Sequence, residues 1–360
     1  MKYIDEFRNK RIAEKILNEI KKIKIERVNL MEVCGTHTVA IFKSGIRNLF
    51  PKNINLISGP GCPVCVTSQS DIDQMISLVR NKNVIIATFG DMVKVPGTTS
   101  SLEKEHAKGS NIRIVYSASD ALEIAKLKKD KKIIFLAVGF ETTSPSVASV
   151  IEDAKKEKID NFSIYCNHKL IPPAMKAILE AKELNLNGFI CPGHVSTIIG
   201  SRAYEFIARD YRIPCVISGF EPTDILESIL MLLRQISQKK AEVQIQYRRA
   251  VKPEGNKLAQ RILKRVFEID DADWRGLGII KKSGYRLNKK YQEFDAKYKF
   301  KIKEKKSEEA KGCLCGQVLR GTRNPNQCKL FGKKCTPENP YGPCMVSSEG
   351  TCSAWYKYNQ

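Results

Sequence analysis

The chain alternates short apolar runs with segments that have the residue spacing of amphipathic helices. Eight runs rich in Val, Ile and Phe recur at intervals of about 20–30 residues: RVNLMEVCG, NINLISGPG, VIIATFGD, IRIVYSAS, KIIFLAVGFE, NFSIYCNH, GFICPGH and CVISGFEP. Helix-like segments such as DIDQMISLVRN and SDALEIAKLKK lie between them. This alternation is typical of βαβ units, in which a helix connects two strands of a parallel sheet. We therefore predict an α/β fold with one large parallel sheet or two smaller ones.

Short motifs recur along this region. The run FLAVGFETTSP at 135–145 ends like VISGFEPTD at 216–224, and GPGCP at 59–63 is similar to ICPGH at 190–194. These pairs favour two similar halves that face one another, with a boundary near Ser119. We accordingly expect two parallel-sheet α/β domains that enclose a cleft.

The domain boundaries follow from these motifs. We assign residues 1–119 to the first α/β domain and residues 120–236 to the second. Residues 237–360 form the predicted C-terminal domain, in which 245–256 is typical of a strand and turn and 257–269 of a helix. The last fifty residues of this domain are rich in loop-forming residues and poor in apolar runs, so they need a covalent or metal link to fold.

The net charge of +22 is the one feature that suggests a nucleic-acid partner. Basic clusters bind phosphates, but the lysines here occur in every segment and are interleaved with glutamate. The most basic stretch, 281–306, matches no known nucleic-acid-binding motif. We therefore do not expect the chain to bind DNA or RNA.

The sequence also predicts where the chain is found. No apolar run reaches the roughly 18–20 residues of a membrane span. The first residues, MKYIDEFRNK, lack the apolar core of a signal peptide and are typical of the start of an amphipathic helix. We expect a cytoplasmic protein with no membrane partner, in which the twelve cysteines are metal ligands or redox groups instead of structural disulfides.

Six of the twelve cysteines fall in the last fifty residues. Their spacing is irregular, without the paired C-x2-C of most zinc sites, and the tail contains no histidine. Loops rich in Gly and Pro suit a cubane that is approached from several directions, so we favour an iron–sulfur cluster over zinc. A cluster needs four ligands, and the two remaining thiols could form a redox pair beside it. The tail cysteines are Cys313, Cys315, Cys328, Cys335, Cys344 and Cys352.

Three other cysteines lie at the ends of predicted strands. Cys34 follows the first strand in MEVCGTHT, with His37 three residues later. Cys62 and Cys65 form a C-P-V-C motif directly before a predicted helix at 69–80. We expect the helix N-terminus to lower the pKa of these thiols, because its dipole favours thiolate. A C-x-x-C at such a position can cycle between dithiol and disulfide or hold a soft metal ion.

Two further polar residues lie in strand-end loops. Glu141 in GFETTSP and His194 in CPGHVS follow strands in the two halves. Because ligands bind at the carboxyl ends of parallel strands, both residues are expected to join Cys34 and the C-P-V-C motif in the cleft. The remaining three cysteines lie in apolar strands and are assigned to packing; they are Cys166, Cys191 and Cys215. The motifs of nucleotide-driven and hydrolytic enzymes are absent from the sequence.

The motifs together resemble those of one known family. MEVCGTHT, GPGCPVCVT, GFETTSP, PGHVSTIIG, GFEP and the tail CGQVLRG…PNQCKLFGKKCTPENPYGPCMVSSEGTC are similar to the hydrogenase maturation factor HypD family. They run in the family's order from about residue 31 to 355. Residues 240–305 contribute little to the resemblance.

The resemblance implies a scaffold that assembles the Fe(CN)2CO group of [NiFe]-hydrogenase. Members of this family have two α/β domains and a small [4Fe–4S] domain, and they work with the small partner HypC. Cyanide comes from HypE, whose ligand is made with HypF, and the completed iron passes to the hydrogenase large subunit. Such a protein is a metallocentre-assembly scaffold with redox activity.

The resemblance also implies residue roles. Cys34 would bind the transient iron together with the N-terminal cysteine of HypC, and Cys62 and Cys65 would be the redox-active pair. The tail resembles the cluster region of ferredoxin:thioredoxin reductase, in which a cubane passes electrons to a neighbouring disulfide. On that analogy the cluster ligands are Cys313, Cys328, Cys335 and Cys352, and the spare pair is Cys315 and Cys344.

An alternative remains open. The chain could be a thiol–disulfide oxidoreductase that acts on protein substrates, with the C-P-V-C motif as its active site and Cys34 incidental. Dependence of iron–cyanide binding on Cys34 separates the two hypotheses, since the oxidoreductase requires none.

Overall fold

The computed structural model describes residues 8–302 and 307–358 of the chain. In that part the strands are β1 (Val28–Glu32), β2 (Ile54–Ser58), β3 (Val84–Thr88), β4 (Ile112–Ile114), β5 (Lys132–Gly139), β6 (Phe162–His168), β7 (Gly188–Pro192), β8 (Cys215–Ser218), β9 (Val243–Ile245), β10 (Phe267–Trp274) and β11 (Gly278–Leu287). The eight apolar runs of the sequence coincide with the first eight of these strands. The α/β prediction is therefore confirmed.

Helices alternate with the strands as expected. They are α1 (Lys10–Lys22), α2 (Gly35–Lys43), α3 (Gln69–Val79), α4 (Gly90–Val93), α5 (Leu102–Ala107), α6 (Ala118–Leu127), α7 (Ser144–Lys156), α8 (Ile171–Ala181), α9 (Gly193–Ile199), α10 (Glu205–Tyr211), α11 (Pro222–Ser237), α12 (Lys257–Val266), α13 (Ala296–Lys299), α14 (Cys315–Leu319), α15 (Pro343–Val346) and α16 (Thr351–Tyr358). Among the described residues, no helix has the length and apolar character needed to cross a membrane.

The strands form two parallel sheets and one hairpin. A five-stranded sheet has the order β2-β1-β7-β8-β9, and a four-stranded sheet has the order β4-β3-β5-β6. Every pair in both sheets is parallel. The antiparallel hairpin β10–β11 packs at the carboxyl end of β6, where the N–H of Leu170 donates to the carbonyl of Ser283 at 2.8 Å.

The strand pairing differs from the division expected at residue 119. Strand β1 pairs with β7, so that Leu30 lies beside Gly188, and the first sheet therefore combines an N-terminal segment with a segment beyond residue 187. The second sheet lies between them in sequence and spans the expected boundary. Strand β9 pairs with β8, so the five-stranded sheet also extends past the expected boundary at 237. Buried parallel strands are apolar on both faces, so their pattern does not encode which neighbour each one takes.

The structure after residue 256 also differs from the sequence prediction. Helix α12 ends at Val266, whereas the sequence pattern extends it to Ile269, and β10 begins directly at Phe267. The hairpin was not expected, because β10 (FEIDDADW) is polar, with three of its eight residues exposed and three half-buried. Trp274 at its end is fully buried and donates from Nε1 to Ser283 Oγ at 2.8 Å.

One large apolar core joins both sheets and reaches the tail. It contains Met31 of the first sheet, Ile86 of the second, and Cys315 and Cys344 of the tail. In a smaller apolar cluster, α16 packs against α2. The ring centroid of Phe42 in α2 lies 5.6 Å from that of Trp355 in α16. The loop-rich tail is thus packed on the helix that follows Cys34.

Candidate functional site

Cys34 lies at the carboxyl end of β1 and forms the N-cap of α2. Its backbone N–H donates to Glu32 Oε2 at 3.1 Å, and its side chain is buried. Burial, assisted by the nearby Glu349 carboxylate, raises the pKa of Cys34 to about 12. The thiol therefore keeps its proton at neutral pH until a ligand displaces it.

The Cys34 loop lies directly against the loop of the C-P-V-C motif. The N–H of Gly35 donates to the carbonyl of Gly61 at 2.9 Å. A Cβ at Gly61 would stand only 2.1 Å from the backbone nitrogen of Cys34. Only glycine allows the two strand-end loops to approach this closely.

The C-P-V-C thiols are buried beside one another. The Sγ atoms of Cys62 and Cys65 lie 2.7 Å apart, and the N–H of Cys65 donates to Cys62 Sγ at 3.3 Å. Helix α3 follows as predicted, with Ser68 as its N-cap. The expected lowering of thiol pKa is wrong for Cys65, because burial and two neighbouring thiols, Cys344 and Cys62, raise its pKa well above the ordinary value.

Four of the tail thiols lie close to one another in a continuous line. Cys313 and Cys315, and likewise Cys315 and Cys344, are close enough to affect one another's pKa. Cys344 is similarly close to Cys352 and, outside the tail, to Cys65. The tail is in direct contact with both thiols of the C-P-V-C motif, because Cys65 Sγ lies 3.9 Å from the carbonyl oxygen of Pro343 and Cys62 Sγ lies 3.3 Å from Ser347 Oγ.

The other two tail thiols flank this line. Cys335 Sγ accepts the N–H of Tyr341 at 3.4 Å and is close enough to Cys313 and Cys328 for their charges to affect its pKa. Cys328 is partly exposed, and its Sγ contacts the carbonyl of Gly312 at 3.8 Å. All six tail thiols thus belong to one neighbourhood.

The donor set of this neighbourhood fits an iron–sulfur cluster. Thiolates are the usual ligands of such clusters, and more than four are present. In residues 8–302 and 307–358, no three His, Cys, Asp or Glu side chains surround a common point like the ligands of a single metal ion. The six tail thiols differ in exposure. Cys315 and Cys344 are 3% and 1% exposed, whereas Cys313, Cys328 and Cys352 are partly exposed.

A buried arginine adds positive charge beside these thiols. Arg275 follows β10 and is 3% exposed. Its guanidinium donates to the carbonyl of Thr67 at 3.0 Å and to Gln69 Oε1 at 2.9 Å, so that it holds the segment directly after the C-P-V-C motif. Its charge acts to lower the pKa of Cys313 and Cys315, against the larger effects that raise both values.

The two predicted histidines both stack on one phenylalanine. The ring centroid of His37 lies 4.7 Å from that of Phe220, and the ring centroid of His194 lies 3.9 Å from it. His37 is fully buried, and its Nε2 is 2.9 Å from the carbonyl of Gly219. Burial lowers the pKa of His37 to about 4, so this ring is neutral at physiological pH. The structure therefore brings His37 and His194 together through the GFEP loop.

Glu141 lies elsewhere, at the carboxyl end of β5. Its Oε1 accepts the N–H of Ile171 at 3.0 Å, and its Oε2 has no hydrogen-bond partner. Burial raises the pKa of Glu141 to about 8. Its neighbours are Tyr204 and Tyr285, whose pKa values it raises, and not the thiols of the C-P-V-C motif.

The three cysteines assigned to packing are buried in strands of the two parallel sheets. Cys166 lies in β6, and Cys191 and Cys215 lie on the paired strands β7 and β8, in contact with each other. Burial raises the pKa of Cys166 to about 12, as for Cys34.

Sequence reasoning missed three polar residues of the site. Ser347 accepts a hydrogen bond from Cys62 of the C-P-V-C motif and donates one to Asp91. Glu349 accepts a hydrogen bond from the Thr36 hydroxyl at 2.6 Å, next to Cys34. Asp91 follows β3 in FGD and could have been found by the strand-end rule that selected Glu141. Ser347 and Glu349 carry no comparable signal, because they lie in the tail and reach the sheets only after folding.

Comparison with known proteins identifies the family. A family model described as HypD, hydrogenase formation hypA family, matches residues 10–359. The chain is 47% identical over 371 residues to the hydrogenase maturation factor HypD of Azotobacter vinelandii, covering 100% of this chain and 97% of that protein. It is 44% identical over 370 residues to the protein of the same name from Cupriavidus necator (100% and 98% covered) and to that from Rhodobacter capsulatus (99% and 98% covered). The chain belongs to the HypD family.

Proposed function

We propose that this chain takes part in hydrogenase maturation as the scaffold on which the Fe(CN)2CO group is assembled. The observation that carries the proposal is the convergence of three thiol groups from distant parts of the sequence. The Cys34 loop packs against the C-P-V-C loop at Gly61, and Cys65 Sγ of that motif lies 3.9 Å from the carbonyl oxygen of Pro343, the residue before Cys344 of the tail. The relatives named above are hydrogenase maturation factors, which supports the same role.

Cys34 is the proposed anchor of the iron, shared with a cysteine of HypC. Iron that carries cyanide and carbon monoxide is soft, and thiolate is its natural protein ligand. The raised pKa of Cys34 means that iron must displace the thiol proton on binding. Glu32, whose pKa burial raises to about 8, accepts the N–H of Cys34 and holds this loop in place. HypE is the proposed source of cyanide, and the hydrogenase large subunit the final acceptor.

The tail is proposed to hold a [4Fe–4S] cluster through Cys313, Cys328, Cys335 and Cys352. When bound, such a cluster supplies single electrons to a neighbouring acceptor. The two thiols left over, Cys315 and Cys344, are the more buried ones and are close enough to affect one another's pKa, as expected of a redox pair. Cys344 is similarly close to Cys65, which supports disulfide exchange between this pair and the C-P-V-C motif.

Two measurements test the metal content and the redox pair. Protein purified without oxygen is expected to be brown and to contain about four irons per chain, as a [4Fe–4S] centre requires. Zinc in place of iron, in cells supplied with iron and sulfide, would refute the cluster. Thiol counts on the unfolded chain are expected to differ between oxidised and reduced samples, and Cys62→Ser should remove two thiols from that difference. An equal change in wild type and variant would refute the redox role of the motif.

The decisive experiment is infrared spectroscopy of the complex with HypC. The wild-type complex, isolated without oxygen, is expected to show CN and CO stretching bands, and Cys34→Ala is expected to lose them while keeping the cluster's absorbance. Cys166→Ala is a matched control, because Cys166 is also 8% exposed with a pKa raised to about 12, but lies in β6. Bands of wild-type intensity in Cys34→Ala would contradict the assignment.

The second candidate is a thiol–disulfide oxidoreductase acting on protein substrates. The 2.7 Å separation of Cys62 and Cys65 favours disulfide chemistry at this motif. A protein substrate must reach one of the sulfurs, however, and these side chains are only 4% and 1% exposed. The burial favours exchange with Cys344 inside the chain. The infrared experiment separates the two candidates, because the oxidoreductase requires no iron at Cys34.

A further inference from the structure

An unbroken chain of hydrogen bonds connects the C-P-V-C thiols to a carboxylate. Cys65 Sγ donates to Cys62 Sγ at 2.7 Å, and Cys62 Sγ donates to Ser347 Oγ at 3.3 Å. Ser347 Oγ donates in turn to Asp91 Oδ2 at 2.9 Å. The four residues come from three separate parts of the sequence, so the chain exists only in the folded protein.

The direction of this chain is fixed at the serine hydroxyl. A hydroxyl can accept two hydrogen bonds and donate one. Ser347 Oγ accepts from Cys62 and from the N–H of Glu349 at 3.2 Å, so its own proton is directed to Asp91. A proton that leaves Cys62 can therefore move to Ser347 while the serine proton moves to Asp91.

The thiols need such a path because they are shielded from water. Cys62 and Cys65 are 4% and 1% exposed, and Ser347 is 1% exposed. Asp91 is only partly buried and lies in α4, just beyond the carboxyl end of β3. It is the member of the chain that can exchange protons with solvent.

We propose that Asp91, acting through Ser347, is the base that deprotonates Cys62 when the C-P-V-C disulfide forms. The proposal rests on the proposed exchange between the Cys315–Cys344 pair and the motif. It adds an order of events to that exchange. Cys65 reacts first because its sulfur lies beside Cys344, 3.9 Å from the carbonyl oxygen of the preceding Pro343. Cys62 completes the exchange because its sulfur donates to Ser347 on the proton path.

In the first step Cys65 gives up its proton along its hydrogen bond to Cys62, as Cys62 passes its own proton through Ser347 to Asp91, and Cys65 Sγ attacks Cys344 Sγ of the Cys315–Cys344 disulfide. The Cys315–Cys344 bond breaks and a Cys65–Cys344 bond forms. Cys315 leaves with the electron pair and takes up one proton, which balances the proton lost by Cys65 and returned to solvent by Asp91.

In the second step Cys62 passes its proton through Ser347 to Asp91 and attacks Cys65 Sγ. The Cys65–Cys344 bond breaks, and the Cys62–Cys65 disulfide forms. Cys344 leaves with the electron pair and takes up one proton, while Asp91 returns one to solvent. Two electrons pass from the motif to the tail pair, and no external oxidant or reductant is consumed. The reverse sequence reduces the motif along the same path.

The mixed disulfide Cys65–Cys344 provides the test. Cluster-bearing protein, fully reduced without oxygen, is mixed with one equivalent of diamide, quenched with acid at timed intervals, alkylated and mapped by mass spectrometry. In Asp91→Asn and in Ser347→Ala this species should persist about 100-fold longer than in wild type at pH 7, since a positioned base typically accelerates such a step by about 10²–10⁴-fold.

Two further variants make the outcomes separable. Ser348→Ala is the matched control, because Ser348 donates to Asp91 through its N–H and hydroxyl but does not contact Cys62. It should behave as wild type. Cys62→Ser should hold the mixed disulfide permanently, and its failure to do so would overturn the exchange itself. A mixed disulfide that persists in Cys62→Ser but resolves at the wild-type rate in Asp91→Asn or Ser347→Ala would overturn the proton path alone.

The pH dependence distinguishes a proton path from a structural effect. At alkaline pH hydroxide can accept a proton in place of a carboxylate, so the ratio of the mixed-disulfide lifetimes in Asp91→Asn and in wild type should fall as the pH rises from 7 to about 10. The other ionisable groups that face this chain are Glu349 beside Asp91, and Cys344 beside Cys65. Both groups are present in wild type and in Asp91→Asn, so their titration changes the lifetime of the mixed disulfide equally in the two proteins and leaves the ratio of the lifetimes unaffected. A ratio that stays constant with pH would overturn the proposal.

Discussion

Replacement of Gly61 by alanine tests whether close contact between two strand-end loops stabilises this fold. In the native structure the new Cβ would stand 2.1 Å from the nitrogen and 2.4 Å from the Cα of Cys34, whereas real Cβ contacts stay beyond 3.0 Å. These neighbours are backbone atoms and cannot rotate away. The C-P-V-C loop must therefore move from the Cys34 loop by at least 0.9 Å, the difference between the shortest contact and that limit.

The cost of this movement can be estimated from two effects. Overpacking of a tightly packed region typically costs about 1–3 kcal/mol. The hydrogen bond from Gly35 to the carbonyl of Gly61, 2.9 Å long, would also be stretched or lost, at about 1 kcal/mol. We expect Gly61→Ala to lower the free energy of unfolding by about 2–4 kcal/mol.

The assay is urea unfolding followed by circular dichroism, under anaerobic reducing conditions and with equal cluster content in every sample. Gly90→Ala is the matched control, because a Cβ there meets only a side-chain atom of Ile114 at 3.8 Å, an ordinary contact. A second readout is alkylation of Cys34, which should become faster in Gly61→Ala as the loops separate. A midpoint of unfolding equal to that of Gly90→Ala would refute the reasoning.

Three further predictions concern the tail, a buried carboxyl and a buried guanidinium. Cys328→Ala should lose the brown colour and make the tail more sensitive to limited proteolysis, because cluster ligands link a segment with little apolar core; unchanged iron content would contradict this. The pKa of Glu141 is raised from its ordinary value near 4.5 to about 8, so the wild type should lose stability as pH rises through that window, and Glu141→Gln should not. In urea unfolding between pH 5 and 9, the difference in free energy of unfolding between Glu141→Gln and wild type should change by at most about 1.4 kcal/mol per pH unit. A difference that does not change with pH would refute the raised pKa of Glu141. Arg275→Met should lower the free energy of unfolding by about 2–4 kcal/mol, because it leaves a buried carbonyl and amide oxygen unpaired, whereas Arg286→Met in an exposed ion pair should cost less than about 1 kcal/mol; similar costs for the two would contradict the role of burial.

The sequence determined the elements and the chemistry of this protein. Buried parallel strands are continuous apolar runs, so all eight predicted strands could be read from the pattern, as could the start of α12, whereas β9 ends at Ile245, where the predicted strand begins. The cysteines at the ends of β1 and β2 could be placed together, because adjacent parallel strands end at the same edge of a sheet. The clustering of six cysteines within forty residues likewise indicated one thiol-rich tail.

The tertiary structure decided the pairing of strands and the surroundings of the thiols. Strand order was not encoded locally, because a strand buried on both faces accepts any apolar neighbour, and β1 pairs with β7 instead of remaining in its own half. The burial that raises the pKa of Cys65 outweighs the helix dipole on which the sequence argument relied. The hydrogen bonds from Cys62 to Ser347 and from Ser347 to Asp91 join residues more than 250 positions apart. Such contacts depend on how the tail packs against both sheets, and no periodicity or motif spacing along the chain records that packing.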